Sequence, residues 1–409
     1  GISTSGTMGL SVGVTSAIAA VLMLGRGVDG SYRFDPARTL VEIPTSLDRL
    51  VAKADPSRSV FGRDDFESVE HRSVQLWATQ EQLRALNASG LEWAKGVDHS
   101  AAAYAAEMNR AGGRYMDTAG EEPVWSEYCG YECMTARLAE LAAVGGCEFP
   151  FELYNIGTTT DRRDIWVAKV GAVGPQVLMA GNIHGDETTG GQLLQRWLWE
   201  TCNKPTAQQD DVARSVQAFY MPMLNPDGYE RNQRGNARGA DLNRDFPTPT
   251  GGAGGVQPES AAYMEFANQH KFDISLMYHG GAVVCNYPYD SCYTSSIVPR
   301  PCPPAATSYH PRSSEVLPSS EAYARQLIAD GTRCNVGSNC LVNGAAWYQI
   351  EGSLQDWAFH FRNTLDMTME ISSTKRVSAA SLPRYYTENK ASIHAFMMWA
   401  ADRTELTEA

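Results

Sequence analysis

From about residue 125 onward, short apolar runs alternate with longer segments in which apolar positions recur every three or four residues. The first pattern predicts buried strands and the second predicts amphipathic helices. Their alternation is typical of a mixed or parallel sheet covered by helices, an α/β fold. The predicted strands lie at residues 165–170, 177–182, 216–221, 274–278 and 364–371, and the clearest helices at residues 189–201, 320–328 and 388–401.

The N-terminal part of the chain has a different pattern. Residues 8–25 form an uncharged, largely apolar run, which predicts a leader within residues 1–30; a secretory signal sequence and a signal anchor are the two interpretations. Residues 38–113 alternate between β-like and helical patterns and predict a small α+β unit. The glycine-rich and then acidic stretch at 111–123 is typical of a linker. The candidate catalytic domain therefore covers residues 125–402.

Composition and charge narrow the class of protein. With 409 residues, of which 43% are apolar and 20% charged, the chain has an ordinary globular balance and room for one large α/β domain plus a smaller unit. The formal net charge of −13 disfavours nucleic acid as a partner and suits a cationic peptide. Nothing after the leader resembles a membrane span, and a monomer is the default expectation.

The cysteines indicate the compartment. Nine are many for a cytosolic enzyme of this size, and several lie in loops rich in Pro, Ser and Asn. This distribution predicts disulfide bonds and a secreted protein, with pairings that the sequence leaves open. Cys285 lies instead in the apolar run 282–285 and is predicted to be a buried free thiol. The loop cysteines are Cys292, Cys302, Cys334 and Cys340.

The most informative motif is His184-Gly-Asp-Glu187. It follows the predicted strand 177–182 and precedes a predicted helix, so its imidazole and its carboxylate can turn toward one ion and leave coordination positions open. His279 is the candidate third ligand because it also follows an apolar run and is followed by two glycines. The motif therefore predicts a catalytic zinc site.

Other segments fit hydrolysis of a peptide at its carboxyl end. Residues 234–247 include two arginines and an asparagine, which can hold a carboxylate through bidentate hydrogen bonds and polarise a carbonyl group. Residues 225–228, Asn-Pro-Asp-Gly, predict a turn. Glu370 lies in an otherwise apolar strand, where a carboxylate is unfavourable unless it is used; a strand-end residue that reaches solvent is the alternative.

Together these segments resemble the zinc metallocarboxypeptidases, especially the regulatory branch that includes carboxypeptidases D, E, M and N. The resemblance runs from about residue 125 to residue 400. It implies an α/β/α sandwich around a mixed eight-stranded sheet, with zinc at the carboxyl ends of central strands. The matching motifs are Gly181-Asn-Ile-His-Gly-Asp-Glu187, Asn225-Pro-Asp-Gly-Tyr-Glu230, Asp241-Leu-Asn-Arg244, His279-Gly-Gly, Asn286-Tyr-Pro-Tyr-Asp290 and Gly352-Ser-Leu-Gln-Asp356.

The resemblance implies the roles of the metal-site residues. His184, Glu187 and His279 would bind one zinc ion per chain, and Asp241 would orient the ring of His184. Glu370 would be the general base, which takes a proton from the zinc-activated water and later delivers it to the leaving amine. The implied reaction is removal of the C-terminal residue from peptides or proteins.

The resemblance also implies how the substrate is held. Arg234 would stabilise the developing oxyanion, while Asn243 and Arg244 would bind the terminal carboxylate. Such binding explains exopeptidase action, because the interior of a chain offers no carboxylate. Tyr348 matches a mobile tyrosine that closes over the bound substrate; a core aromatic residue beside Trp347 is the alternative.

Substrate preference depends on two further matches. In the regulatory branch, the acid after the Tyr-Pro-Tyr turn lies deep in the specificity pocket, and here that position is Asp290. Gln355 also matches the branch. A buried carboxylate that pairs with a substrate guanidinium favours C-terminal Arg or Lys. A turn-capping aspartate is the alternative for Asp290.

The unit at 38–113 resembles the prodomain of digestive carboxypeptidases, which blocks the cleft until it is removed; a stable accessory domain is the alternative. As a prodomain it should be cleaved between Arg110 and Trp125. Two other functions stay open. An acylase-type relative that deacylates small amino-acid conjugates shares the His-x-x-Glu motif, although residues 225–230 and 348–357 favour a peptidase. A non-catalytic relative that binds peptides is the second.

Overall fold

The computed structural model describes part of the chain, which divides into two compact units, Gly1–Asp98 and His99–Ala409. The predicted leader at residues 1–30 lies outside the described residues, as do Cys292 and Cys302. The described residues are four strands of the first unit and, in the second unit, residues 122–143, 146–252, 254–291, 313–337 and 339–408.

The four strands of the first unit form one antiparallel sheet within the predicted α+β unit. The strands are β1 (Thr39–Ile43), β2 (Phe66–Glu70), β3 (Ser73–Ala78) and β4 (Ala94–Lys95). Their order in the sheet is β2-β3-β1-β4, and every pair is antiparallel. The helical segments predicted for the same unit lie outside the described residues.

The second unit is built on one mixed sheet of eight strands. They are β5 (Phe151–Thr158), β6 (Asp164–Val170), β7 (Gln176–Gly181), β8 (Gln217–Met221), β9 (Phe272–His279), β10 (Ala282–Tyr287), β11 (Leu341–Asn343) and β12 (Leu365–Ser372). The order is β11-β10-β12-β9-β7-β8-β6-β5. The central strands β12, β9, β7 and β8 are parallel, whereas β10, β6 and β5 join through antiparallel pairs.

Helices accompany this sheet along the described part of the unit. They are α1 (Tyr131–Ala142), α2 (Thr189–Asn203), α3 (Ala207–Ser215), α4 (Pro226–Arg231), α5 (Pro258–Gln269), α6 (Ser313–Ala329), α7 (Gly344–Trp347), α8 (Leu354–Arg362) and α9 (Leu382–Glu408). Two 3-10 helices lie at Leu242–Arg244 and Ala379–Ser381. Among the described residues, no helix has the length and apolar composition that crossing a membrane requires.

Two buried hydrophobic clusters lie on opposite faces of the sheet. One combines Leu276 of β9 with residues of α2, α6 and α9, and includes Phe396. The other combines Met277, the next residue of β9, with α5 and α8, and includes Trp357. Because successive strand residues point to opposite faces, helices cover both sides. The predicted α/β/α sandwich around a mixed eight-stranded sheet is confirmed.

All five predicted strands and all three predicted helices are present; the strand ends shift by at most two residues, whereas two of the helices extend up to seven residues beyond the predicted ends. The prediction of a simple turn at 225–228 was wrong, because this segment begins α4. The Asn225 side chain caps the helix by accepting a hydrogen bond from the Gly228 backbone N–H at 2.9 Å, and Pro226 occupies the first helical turn. An asparagine before a proline is also a helix-start signal.

Disulfide bonds are present, as the cysteine distribution predicts. The bond Cys147–Cys202 joins the segment before β5 to the end of α2. Cys285 is buried and free, which confirms the prediction for this thiol. Loops that are crosslinked in this way are typical of proteins that fold in an oxidising compartment. The other bonds within the described residues are Cys129–Cys133 and Cys334–Cys340.

Candidate active site

His184 and Glu187 lie where the chain leaves β7 and turns into α2. Asn182 has the left-handed φ of 58° that the turn requires, and its side-chain amide donates to the Glu187 carbonyl at 3.1 Å. Gly185 packs against α4 so closely that a Cβ there would lie 2.0 Å from the carbonyl carbon of Gly228. A glycine at this position therefore lets both ligands approach the same point.

His279 and Glu370 lie beside each other on neighbouring parallel strands. His279 ends β9, and the register of the sheet pairs it with Glu370 of β12. Both side chains are buried, with 1% and 0% of their surface exposed. Met369 and Ile371 belong to the hydrophobic cluster on one face of the sheet, so Glu370 points to the opposite face.

The three predicted metal ligands meet in one buried cluster. Oε2 of Glu187 lies 3.0 Å from Nδ1 of His184 and 2.8 Å from Nδ1 of His279. One ligand atom from each residue lies within 4.8 Å of the other two. Burial acts to raise the pKa of Glu187, but the two imidazoles outweigh it and hold this pKa well below its usual value. A carboxylate and two imidazoles are a donor set that fits zinc.

Asp241 lies behind His184. Its Oδ1 is 3.0 Å from Nε2 of His184, and its Oδ2 accepts two hydrogen bonds from Arg234, at 2.9 Å and 3.1 Å. Burial acts to raise the pKa of Asp241, but the positive charges of Arg234 and Arg244 and the imidazole of His184 hold it well below the usual value. An ionised carboxylate bonded to the outer nitrogen of a ligand histidine fixes the orientation of that ring.

Arg234 also contacts the ligand cluster directly. Its Nη1 lies 3.2 Å from Oε1 of Glu187 and 3.1 Å from Nδ1 of His184, and only 5% of its surface is exposed. A guanidinium in this position can stabilise negative charge that develops next to the cluster.

Asn243 and Arg244 follow Asp241 in the short 3-10 helix. The Asn243 side-chain oxygen accepts a hydrogen bond from the Leu354 backbone N–H at 2.9 Å, which ties this helix to the start of α8. This bond fixes the orientation of the amide. Arg244 donates to the Asn243 carbonyl at 2.8 Å and keeps 27% of its side chain exposed. Nη1 of Arg244 also lies 3.9 Å from Oδ2 of Asp241, the residue behind His184.

Asp290 and Gln355 meet in a second buried group. Oδ1 of Asp290 accepts hydrogen bonds from Gln355 at 2.9 Å and from Asn286 at 3.0 Å. The Asp290 backbone N–H donates to Asp356 at 2.8 Å. Asp290 is 3% exposed, and its carboxylate accepts from side chains of β10 and α8; its role in selecting the substrate side chain stays a prediction.

Tyr348 lies directly after α7 and is half-buried. Its ring packs edge-on against the ring of Trp347, with centroids 4.7 Å apart. Its backbone N–H donates to the Gly344 carbonyl at 2.9 Å. This contact with Trp347 agrees with the interpretation of Tyr348 as a core aromatic residue. The movement of Tyr348 over a bound substrate stays a prediction.

A lysine that the sequence interpretation missed lies close to the candidate base. Burial raises the pKa of Glu370 well above its usual value, and the positive charge of Lys375 acts in the opposite direction. Lys375 is itself buried, and its Nζ lies 3.3 Å from Oδ2 of Asp186. In the sequence, Asp186 lies between the ligand residues His184 and Glu187. No local motif marks this lysine, because its partners are distant in sequence.

Asp366 was also missed, although a signal for it exists. It is an acid in the same apolar strand as Glu370, so the criterion that selected Glu370 applies equally to it. Asp366 is 1% exposed and accepts a hydrogen bond from Ser275 of β9. The structure thus contains a second buried acid on the strand of the candidate base.

Comparison with known proteins gives the family. Residues 147–392 match the model of the zinc carboxypeptidases, peptidase M14. The chain belongs to the zinc carboxypeptidase family. The match covers the cluster, the candidate base and the buried group around Asp290, and it confirms the resemblance to metallocarboxypeptidases.

Several curated members of this zinc carboxypeptidase family are similar to the chain. Carboxypeptidase D of Rattus norvegicus is 29% identical over 279 residues, which is 60% of this chain and 19% of that protein. Carboxypeptidase SOL1 of Arabidopsis thaliana is 31% identical over 261 residues, and carboxypeptidase M of Mus musculus 29% over 265, covering 51% and 59% of those proteins. The matched region is thus only about a fifth of carboxypeptidase D.

Two solved structures share the fold of this chain. The structure titled thrombin activatable fibrinolysis inhibitor superposes with a TM-score of 0.67 at 14% identity, covering 89% of this chain and 99% of the other. Carboxypeptidase A from Helicoverpa armigera gives a TM-score of 0.66 at 15% identity and covers 91% and 99%. At these identities the likeness supports the fold alone.

Proposed function

We propose that this chain is a zinc-dependent metallocarboxypeptidase that hydrolyses the C-terminal residue of peptides or proteins. One observation carries the proposal: His184, Glu187 and His279 form a buried cluster, and the register of the sheet sets Glu370 beside His279. Family membership supports the same chemistry.

His184, Glu187 and His279 would hold one zinc ion. When bound, zinc supplies Lewis-acid chemistry, polarising a carbonyl group and lowering the pKa of water. Glu370 takes up a proton from the attacking water and later passes it to the leaving amide nitrogen. Its burial on the strand next to His279 supports this role, because a proton carrier must lie beside the reacting water.

The substrate carboxylate is held beside the cluster. Arg244 keeps part of its guanidinium accessible, and the fixed amide of Asn243 lies next to it, so the pair can bind the terminal carboxylate through charge-assisted hydrogen bonds. Arg234 stabilises negative charge on the scissile carbonyl oxygen. Tyr348 closes over the bound residue. Recognition of a free carboxylate limits the reaction to chain ends.

The preferred C-terminal residue is Arg or Lys. Asp290 supports this preference because it is a buried acid whose carboxylate is held in place by Asn286 and Gln355. A fixed buried carboxylate gains most from a cationic partner, which replaces the solvation that burial removed. An apolar C-terminal residue would leave this charge without such compensation.

The rest of the chain fits a secreted zymogen. Three disulfide bonds among the described residues support a secretory location. We assign the unit at residues 38–113 as a removable prodomain, with cleavage between Arg110 and Trp125. We expect limited proteolysis to release this unit and to raise activity; activity that stays the same after cleavage favours the accessory-domain alternative.

The test is release of the C-terminal amino acid from peptides that differ only in that residue, Arg, Lys, Phe, Leu or Glu. The zinc-loaded full chain is assayed before and after limited proteolysis near residue 115, with and without a zinc chelator. We expect chelator-sensitive release with a preference for Arg and Lys. Preference for Phe or Leu keeps the enzyme and refutes the role of Asp290.

The matched control is Glu370→Gln, which preserves side-chain volume. We expect it to retain zinc and to lose turnover. A zinc-loaded wild type that releases nothing, before or after proteolysis, contradicts the proposal and favours the non-catalytic peptide-binding function. Hydrolysis of acylated amino acids in place of peptides favours the acylase function.

A further inference from the structure

The face of the sheet that carries Glu370 continues as a strip of polar residues. On β12, Asp366 and Thr368 alternate with apolar residues of the opposite hydrophobic cluster, so both point to the same face as Glu370. The register pairs Asp366 with Ser275 of β9 and Thr368 with Asn286 of β10. At about 3.3 Å per residue, Asp366 lies roughly 13 Å along the strand from Glu370.

This strip leads to the pocket group around Asp290. Asn286 donates from the strip to Oδ1 of Asp290 at 3.0 Å, and Gln355 donates to the same atom. The charge of Asp290 acts on Asp366 as well, and in the direction expected for two nearby acids, since it raises the pKa of Asp366. The charges of Asp290 and Asp366 therefore act on each other.

Asp366 has little that compensates its charge. Its Oδ2 accepts a hydrogen bond from Ser275, but its Oδ1 has no hydrogen-bond partner among the described residues. The third neighbour is Tyr263 of α5, whose pKa the charge of Asp366 helps to raise. None of these three neighbours carries a positive charge that could compensate the carboxylate. Burial therefore dominates and raises the pKa of Asp366 to about 7. A core position with this much polarity is unfavourable unless it serves a ligand.

We propose that Asp366 is a second specificity-determining acid, which adds its charge to that of Asp290 in the recognition of a cationic C-terminal side chain. The proposal rests on the proposed carboxypeptidase function. An ammonium or guanidinium group that enters the pocket favours the ionised form of both acids, whereas an apolar side chain does not. Asp366 therefore discriminates between basic and apolar C-terminal residues and leaves the reaction at Glu370 unchanged.

The experiment compares Asp366→Asn with the wild type in the zinc-loaded full chain, activated as above. Two peptides that differ only in a C-terminal Arg or Leu serve as probes. We expect KM for the Arg peptide to rise roughly tenfold, as when one charge-assisted contact is weakened, with kcat unchanged within about twofold. The Leu peptide should be cleaved as before. The split between KM and kcat distinguishes charge recognition from a general structural effect.

Glu230→Gln is the matched control. Glu230 is also a partly buried acid whose pKa burial raises, and it accepts a hydrogen bond from the Tyr131 backbone N–H at 2.8 Å, far along the chain from the pocket. We expect this variant to keep the wild-type ratio of Arg to Leu cleavage. If Asp366→Asn does not fold, Ser275→Ala tests the role of Asp366 instead. Loss of the serine hydroxyl disfavours the ionised form of Asp366, so this variant should also raise KM for the Arg peptide.

The outcomes separate this proposal from the one on which it rests. A wild type without preference for Arg refutes the basic pocket itself. Loss of the preference in Asp290→Asn, with a wild-type ratio in both Asp366→Asn and Ser275→Ala, refutes the role of Asp366 and leaves the carboxypeptidase intact. An equal loss for the Arg and Leu peptides in Asp366→Asn assigns this acid to the stability of the core and also overturns the proposal.

Discussion

Gly344→Ala tests the pocket by steric means alone. The hydrogen of Gly344 faces the Asp290 carboxylate, and a Cβ in its place would lie 2.0 Å from Oδ1 of Asp290 and 2.8 Å from its Cα. An ordinary contact begins at 3.4 Å, so the carboxylate must retreat by roughly 1.4 Å and the Asp290 backbone by roughly 0.6 Å. We expect this movement to break the hydrogen bonds from Asn286 and Gln355, which measure 3.0 Å and 2.9 Å.

The magnitude follows from the loss of a fixed charge. A hydrogen bond to a charged group contributes about 1.5–3 kcal/mol, and each 1.36 kcal/mol is tenfold in rate. A displaced Asp290 should therefore lower kcat/KM for a peptide ending in Arg by about 10- to 100-fold. A peptide ending in Leu does not use this charge, and its kcat/KM should change by less than about threefold.

The assay is the release of Arg or Leu from matched peptides by Gly344→Ala, by Asp290→Asn and by the double variant. Since both changes act on one carboxylate, their effects should not add. Gly252→Ala is the control, because its Cβ would meet only the side chain of Thr248. A folded Gly344→Ala enzyme with the wild-type preference for Arg, or with fully additive effects in the double variant, refutes this account of the pocket.

Four further predictions concern the site. Glu370→Gln should lower kcat by about 10²- to 10⁴-fold, the usual contribution of a general base, while zinc content measured by elemental analysis stays at one per chain. Zinc should raise the melting temperature of the wild type and not that of His279→Ala, since binding to the folded state alone stabilises it; calorimetry with added zinc measures both shifts, and an equal shift in the two proteins contradicts the ligand role of His279. Asp241→Asn should weaken zinc affinity about 10- to 100-fold in a chelator competition, and an unchanged affinity contradicts its orienting role. The pKa of Asp366 is raised in the folded chain, so its stabilising contribution is complete below the unfolded pKa of about 3.9 and is lost as pH rises through about 7. Between pH 4 and 8 the free energy of unfolding of Asp366→Asn should therefore increase relative to that of the wild type, by an amount on the order of 4 kcal/mol at most. Denaturant unfolding measures this difference, and a constant difference over the range contradicts the prediction.

Much of the fold could be read from local patterns. The central strands β7, β8, β9 and β12 are buried on both faces and appear in the sequence as nearly continuous apolar runs, which is why they were predicted. The edge strand β5 was not predicted, because most of its residues are only partly buried and its pattern has no clear period. The short edge strand β11 carries even less signal.

The metal cluster was predictable for a related reason. His184 and Glu187 belong to one motif at the end of an apolar run, and His279 ends another such run. The carboxyl ends of parallel strands meet at one edge of a sheet, so polar residues at those ends come together whatever the order of the strands. Sequence was therefore sufficient to propose the ligand set, although it left open whether the three side chains meet.

The sequence by itself determined the alternation of strands and helices, the buried free thiol of Cys285, the ligand motif and the acid in an apolar strand, because each is a property of residues close together along the chain. Only the tertiary structure decided that Lys375 reaches Asp186, that Gln355 and Asn286 share the carboxylate of Asp290, and that Ser275 donates to Asp366. These contacts join residues separated by up to 189 positions, and their geometry depends on strand order and register. Register is a collective outcome of packing on both faces of the sheet, and no single segment encodes it.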